Sequence, residues 1–288
     1  MRFAGAGSNS MIQRITELSR TKAGSRAIMT LVADLVDDGT VGDAGLEGME
    51  EAMRSFTQEI NIDQLRHANR LAGRMADQKT IINFRRESRD KLGYWLADRL
   101  DQLGFLTLAG VDYAYTPKGE LRKQRPAGYN LTDLAFAGDV RAPTANRHLR
   151  YSAETGELLQ ADTTAITPDD HLTYRSLVHA HAYARDNYVK GIKSGNGEEL
   201  YHVFTTPRGM ARLRLDKEFL ENIRHAGVRG GQNQIFQGAE SFLLDGMMIH
   251  TYRHVFNNTR AGAGNMWGSD GMVAVSYTHL TLPTIYSV

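Results

Sequence analysis

The stretch Asp77–Leu108, DQKTIINFRRESRDKLGYWLADRLDQLGFLTL, decides the architecture. Leu92, Trp95, Leu96, Leu100 and Leu103 recur at three-four spacing and form an apolar stripe. Glu87 and Lys91 add a supporting i,i+4 ion pair. The spacing predicts one helix, which at ~1.5 Å per residue reaches about 45 Å. Gly110 supplies the stop signal. Such a helix is longer than the usual globular one and predicts a spine across which other elements are laid.

Upstream of the spine, charge is segregated. Ala27 to Met53 carries Asp34, Asp37, Asp38, Asp43, Glu47, Glu50 and Glu51 without one Lys or Arg, whereas the next segment carries Arg54, Arg66, Arg70, Arg74, Lys79, Arg85, Arg86, Arg89 and Lys91. The apolar run Ala27–Val36 suits a strand. A second strand alternates Phe56, Gln58, Ile60 and Ile62 against Thr57, Glu59, Asn61 and Asp63. With the glycine-dotted stretch Gly39–Gly48 between them, the two strands frame a long hairpin with an acidic tip. Segregation of this kind serves docking between copies, so Asp43, Glu47, Glu50 and Glu51 on one side and Arg85, Arg86 and Arg89 on the other are candidate inter-subunit contacts. Farther upstream, Ile12, Ile15 and Leu18 predict a short amphipathic helix over Met11–Arg20, capped by Asn9 or Ser10 and broken by Thr21–Arg26.

Downstream, Val111–Ala165 is weakly patterned and interrupted by Pro117, Pro126 and Pro143, which predicts a variable loop region. Within it Leu149–Gln160, around Thr155-Gly156, reads as a hairpin. Thr167 as N-cap, Pro168 at N1 and the acids Asp169 and Asp170 predict a helix over Pro168–Tyr188, terminated by the glycines at 191, 195 and 197. A strand at Leu200–Thr205 runs into a helix opened by Thr206-Pro207, and a strand pair follows through Ser241–Tyr252. Helices and strands do not strictly alternate, so the class is α+β.

Composition narrows the function. The chain has 288 residues, 34 Lys plus Arg against 33 Asp plus Glu, and a formal charge of +1, which argues against a polyanion binder held by bulk charge. At 41% hydrophobic and 23% charged it is a folding sequence, sized for one or two domains. The absence of cysteine excludes disulfide scaffolds, thiolate zinc sites and cysteine nucleophiles. No apolar run approaches the roughly 20 residues that span a bilayer, and Met1–Ser10 has no hydrophobic signal core, so the expectation is a protein made and assembled in the cytosol, without a membrane partner.

Motifs for chemistry fail on inspection. A calcium loop with Gly39 in sixth place puts Val36 third and Gly45 twelfth, where oxygen ligands are required. His179 and His181 share a face on a strand but not on the helix predicted there. Gly227-Val228-Arg229-Gly230-Gly231 resembles a phosphate loop only in its glycines. Neither a nucleophile elbow nor a carboxylate pair at catalytic spacing is present, so no catalytic residue, cofactor or metal is assigned.

Several short blocks occur in a telling order: Gly42-Asp43 with Leu46-Glu47-Gly48-Met49-Glu50-Glu51; Ile62-Asp63-Gln64-Leu65-Arg66-His67; Gly73-Arg74-Met75 with Gln78; Arg89-Asp90 with Leu92, Trp95 and Leu96; Ala226-Gly227-Val228-Arg229-Gly230; and Asn233 to Ala239, with Asp245-Gly246 and His250 beyond. Over most of Ala27–Met272 the sequence resembles the major capsid proteins of tailed bacteriophages, in their podophage-type branch. Met49 and Gln234 stand where that family pattern would have Asn and Pro. The resemblance implies the tailed-phage and herpesvirus capsid fold. It divides the chain into an N-terminal arm (1–26), an extended hairpin loop (27–66), a peripheral domain with the spine helix (67–110), an axial domain with variable insertions (111–239) and return strands to the peripheral domain (240–274). In that fold the extended loop of one subunit lies over the peripheral domain of its neighbour, which gives the segregated charge a purpose.

The last residues stand apart. Val275-Ser276-Tyr277-Thr278-His279-Leu280-Thr281-Leu282-Pro283-Thr284 is similar to the translation of a transposon-end sequencing adapter, so 275–288 is read as non-native. The resemblance implies a structural shell protein that self-assembles through pentamers and hexamers into an icosahedral capsid around a phage dsDNA genome. Scaffold, portal and decoration proteins are implied as partners, with packaged DNA contacted non-specifically on the inner surface and assembly in the host bacterial cytoplasm. Two rival readings remain at this stage. One is a metal-dependent hydrolase using His179, His181, Asp169 or Asp170, which a stoichiometric bound metal would favour. The other is a nucleic-acid-binding module using Arg85, Arg86, Arg89 and Lys91, which a steep salt dependence of DNA affinity would favour.

Overall fold

The computed structural model describes residues 4–5, 12–13, 26–33, 35–43, 45–61, 63–70, 83–126, 128–134, 147–160, 169–189, 191–193, 197–226, 241–257, 260 and 279–281. The chain divides into two compact units, one formed by 15–65 with 134–136 and the other by 1–14, 66–133 and 137–288.

The smaller unit is the expected hairpin. Strand β3 (Arg26–Val32) pairs antiparallel with β4 (Ser55–Asn61), Arg26 opposite Asn61 and Val32 opposite Ser55. In the larger unit, β1 (Ala4–Gly5) and β2 (Ile12–Gln13) pair in parallel. Ile12–Gln13 is therefore strand where a helix over Met11–Arg20 was predicted. A ten-residue helix is marginal in isolation, and the β-branched Ile12 suits extended backbone. The remainder of that prediction lies outside the described residues.

The spine is α1 (Phe84–Ala109), 26 residues long. It begins later than the spacing predicted because Asn83 caps it, its side chain accepting from the Arg86 N–H at 3.3 Å. Gly110 ends it in the left-handed conformation at φ 66, its N–H donating to Thr107 O at 3.0 Å while Val111 N–H donates to Leu106 O at 3.0 Å. The stripe needs correcting. Leu103, Phe105, Leu106 and Ala109 are buried, Leu92 and Trp95 are half-buried, and Leu96 and Leu100 remain 43% and 46% exposed. Among the described residues, full burial along the helix is confined to its last third. After Gly110 the weakly patterned stretch opens on a packed segment, with Val111, Tyr113 and Pro117 buried and the Thr107 and Tyr113 hydroxyls 2.6 Å apart.

Strands β5 (Leu149–Tyr151) and β6 (Leu158–Gln160) form the predicted second hairpin. Helix α2 spans Tyr174–Asp186, starting six residues after the predicted Pro168. A capping box decides the start: Thr173 accepts from Ser176 N–H at 3.2 Å, and Ser176 Oγ accepts from Thr173 N–H at 3.0 Å. Asp170 lies before the helix and is buried, accepting from Ala153 N–H at 2.7 Å and pairing with Arg150 at 3.3 Å. It ties the β5–β6 hairpin to the approach to α2 rather than serving the helix dipole.

The sheet contains β7 (Ile192–Lys193), β8 (Glu199–Thr205), β9 (Ser241–Leu244), β10 (Met247–Thr251) and β11 (His279–Thr281). Its order is β11-β8-β10-β9, with β7 also on β8; β8 and β10 are parallel and the other pairs antiparallel. Between β8 and β10 the chain passes through α3 (Pro207–Leu215), capped by Thr206 with Pro207 in the first turn as predicted, and α4 (Lys217–Ala226). A β-turn with positive φ at Asp245 (48°) and Gly246 (72°) joins β9 to β10.

Alternation along the sheet builds two cores. Tyr201, Val203, Met247 and Ile249 pack with Leu177, Ala184, Met210, Leu213 and Phe219 of α2, α3 and α4. On the other face Phe204 meets Phe105 of α1 and Val255. Polar ties fasten the same face to the spine: Tyr252 OH donates to Asp101, and His254 Nε2 lies 2.8 Å from Asp98 Oδ1. Burial, reinforced by Asp101, pushes the Tyr252 hydroxyl up to about 12. Burial lowers His254 and outweighs the opposing pull of Asp98.

Candidate inter-subunit contact surface

The hairpin tip begins where Ala33 N–H donates to Arg54 O at 2.9 Å. Beyond it the loop runs through Gly39, Gly42 and Gly48, all at positive φ and with open space around them. Glu51 closes this loop. Its two carboxylate oxygens lie 3.0 and 2.9 Å from Val36 N–H, and one accepts from Asp37 N–H at 3.0 Å. Glu50 accepts locally from Gly48 N–H at 2.9 Å. Asp43, Glu47 and Glu50 are exposed. Of the four acids read as contacts, three therefore present charge to solvent and the fourth holds the loop together.

The Asp37 N–H, then the Val36 N–H, lowers the Glu51 carboxyl below the ordinary carboxylate range. A depressed folded value means that the carboxylate's contribution is present above the unfolded pKa and is lost as pH falls through the folded one. In a carboxyl-resolved NMR titration Glu51 is expected to titrate below the ~4.3 of a free glutamate. The amide shifts of Val36 and Asp37 are expected to follow the same curve. A midpoint at or above the free value, with those amides silent, would show the loop is not closed by Glu51.

The basic partners occupy the first turns of α1. Arg85, Arg86 and Arg89 are exposed, and Arg89 lies within one helical turn of the other two. Arg89 Nε sits 3.8 Å from Asp90 Oδ1 with the arginine 88% exposed, a contact of little energy in water. Three like charges on one helix end are mildly unfavourable unless an acidic surface faces them. The acids belong to the smaller unit and the arginines to the larger one.

Reading charge alone missed an apolar surface. Ile28, Val32, Leu35, Val36, Val41, Leu46, Met49 and Met53 of the hairpin are between 60% and 91% exposed. Along α1, Tyr94 is 74% exposed, and Leu96 and Leu100 are exposed together on another face of the helix. Exposed apolar side chains gathered in one two-stranded element are a candidate interaction surface rather than scattered surface residues. The signal was available in sequence: a two-stranded ribbon has no second layer to cover it, so apolar residues on it stay wet in the isolated chain.

The residues of the rival readings do not converge. His179 is exposed, its ring centroid 6.1 Å from that of Tyr151. His181 is half-buried against Tyr201, its Nδ1 3.9 Å from Asp245. Asp169 is exposed and Asp170 is committed to Arg150. Among the described residues no group of three or more His, Asp or Glu is placed to hold a metal ion. The glycine loop 227–231 and the Asp34 of the calcium-like stretch lie outside the described residues.

A family model described as phage capsid protein matches residues 2–276. The major capsid protein of Pseudomonas phage KPP25 is 48% identical over 272 residues, covering 94% of this chain and 71% of that protein. The solved capsid of Ralstonia phage GP4 superposes with a TM-score of 0.66 at 25% identity, covering 93% of this chain and 71% of that one. The capsid asymmetric unit of cyanophage Pam1 superposes with a TM-score of 0.67 at 16% identity, covering 92% and 73%.

Proposed function

Because the chain belongs to the phage capsid protein family, and is a structural component of a virion shell rather than an enzyme, we propose that its hairpin and spine helix are the parts that join one subunit to the next. The shell is a multimer of this chain, built on the α+β capsid fold. Its capsomers are pentamers and hexamers of an icosahedral capsid enclosing dsDNA, assembled in the host bacterial cytoplasm with scaffold, portal and decoration proteins as partners. Residues 1–26 act as an arm, 27–66 as the extended loop, 67–110 as the peripheral domain, 111–239 as the axial domain and 240–274 as its return strands, while 275–288 is a foreign tail. The family match ending at 276 supports that last assignment.

The carrying observation is the hairpin itself. It exposes Val36, Val41, Met49 and Met53 to water together with the charges of Asp43, Glu47 and Glu50. A neighbouring subunit covers the apolar side chains, and Arg85, Arg86 and Arg89 of that neighbour meet the acids. Negative-stain imaging of the concentrated chain is expected to show shells, tubes or capsomer rings. A chain that stays monomeric at every concentration and ionic strength tried would overturn this reading.

A further inference from the structure

Strand β8 is deeply buried at its C-terminal end, with Val203, Phe204 and Thr205 fully buried. Among the described residues its edge away from β10 is closed by two short pieces, β7 along Glu199–Leu200 and β11 along His202–Phe204. Tyr201 N–H donates to Gly246 O at 3.1 Å, and Thr205 O accepts from Tyr252 N–H at 3.0 Å. The odd-numbered residues of β8 thus turn their main-chain groups toward β10. Alternation sends the N–H and C=O of His202 and Phe204 to the opposite edge. Main-chain groups at so buried a position require partners.

β11 meets that requirement. His279 stands opposite Phe204 and Thr281 opposite His202, in antiparallel register. These residues lie beyond the 2–276 range that matches the family, yet they take up a strand position in the sheet. Main-chain pairing reads direction and register, not side-chain identity. We propose that the β8 edge over His202–Phe204 is a strand-acceptor site that takes an extended antiparallel segment from this same chain, downstream of β10, with little regard to its sequence. A foreign segment can occupy such a site, so β11 and the adapter-like reading of 275–288 are compatible.

Residue-resolved hydrogen exchange on the full 288-residue chain tests this. The amides of His202 and Phe204 are expected to be protected in the parent chain and in a variant carrying His279→Val, Leu280→Thr and Thr281→Val. His279→Pro and Thr281→Pro remove the two β11 donors that face Phe204 O and His202 O; the strand is then expected to leave the edge, taking away the carbonyls that accept from the His202 and Phe204 N–H groups, so these amides exchange at least about tenfold faster. The Val203 and Thr205 amides, facing β10, are expected to keep their rates and so report that the sheet is intact. If the double proline variant unfolds, Thr281→Pro alone reads the same edge at His202. Equal exchange in parent and proline chains would overturn the proposal, as would loss of protection in the Val-Thr-Val variant, which would show that side chains are read. Protection that falls on dilution would also overturn it, by assigning the strand to a second copy.

Discussion

A chain carrying Asp43→Lys, Glu47→Lys and Glu50→Lys is expected to fold and stay soluble but to fail to close shells. All three acids are exposed, and among the described residues neither Asp43 nor Glu47 accepts from the loop's main chain as Glu51 does. Glu51 is left unchanged because reversing it would remove the acceptor for Val36 and Asp37 and open the loop. One exposed ion pair contributes at most about 1 kcal/mol. Reversal turns attraction into repulsion at every copy of the contact, and a closed symmetric assembly repeats that contact throughout. Adding Arg85→Glu, Arg86→Glu and Arg89→Glu is expected to restore closure in part. Light scattering and negative-stain imaging read the outcome, with circular dichroism as the folding control. Normal shells from the triple reversal would refute acid-to-arginine docking.

Leu106→Ala is expected to destabilise the subunit by about 2 to 5 kcal/mol, because truncating a side chain with no exposure leaves a cavity in the core. Leu96→Ala, at a site 43% exposed, is expected to stay within about 0.5 kcal/mol in the unassembled subunit. Denaturant titration of both variants measures the contrast. The contrast separates the part of the spine that holds the fold from the part that stays exposed in the isolated subunit. A large loss from Leu96→Ala in the monomer would show that the exposed half is packed within the subunit after all.

The β3–β4 hairpin, the stop of α1 at Gly110, the β5–β6 hairpin, β8 and the Thr206-Pro207 helix start were all legible in sequence. In each case the deciding signal is local: alternation, a glycine free to take positive φ, or a capping residue beside a proline. The α+β class and the capsid resemblance rested on such signals and on the order of short blocks along the chain. Where the sequence reading misplaced a boundary, several local solutions competed. Thr167 and Thr173 both offer a cap, and the Thr173–Ser176 box decided in favour of the later start while Asp170 was drawn to Arg150.

Burial could not be read along the chain. The stripe from Leu92 to Leu103 is periodic throughout, yet among the described residues full burial begins only at Leu103, and Phe105 owes part of its cover to Phe204 and Val255, about a hundred positions and more downstream. Charge showed which residues of the hairpin repel and attract, but that Glu51 spends its carboxylate on Val36 and Asp37 depends on the path of the loop. Local backbone preference is a property of neighbours in sequence, and the sequence by itself determined the elements. Which faces of those elements stay wet in the isolated chain was decided only by tertiary structure, because removal from water depends on what lies across space.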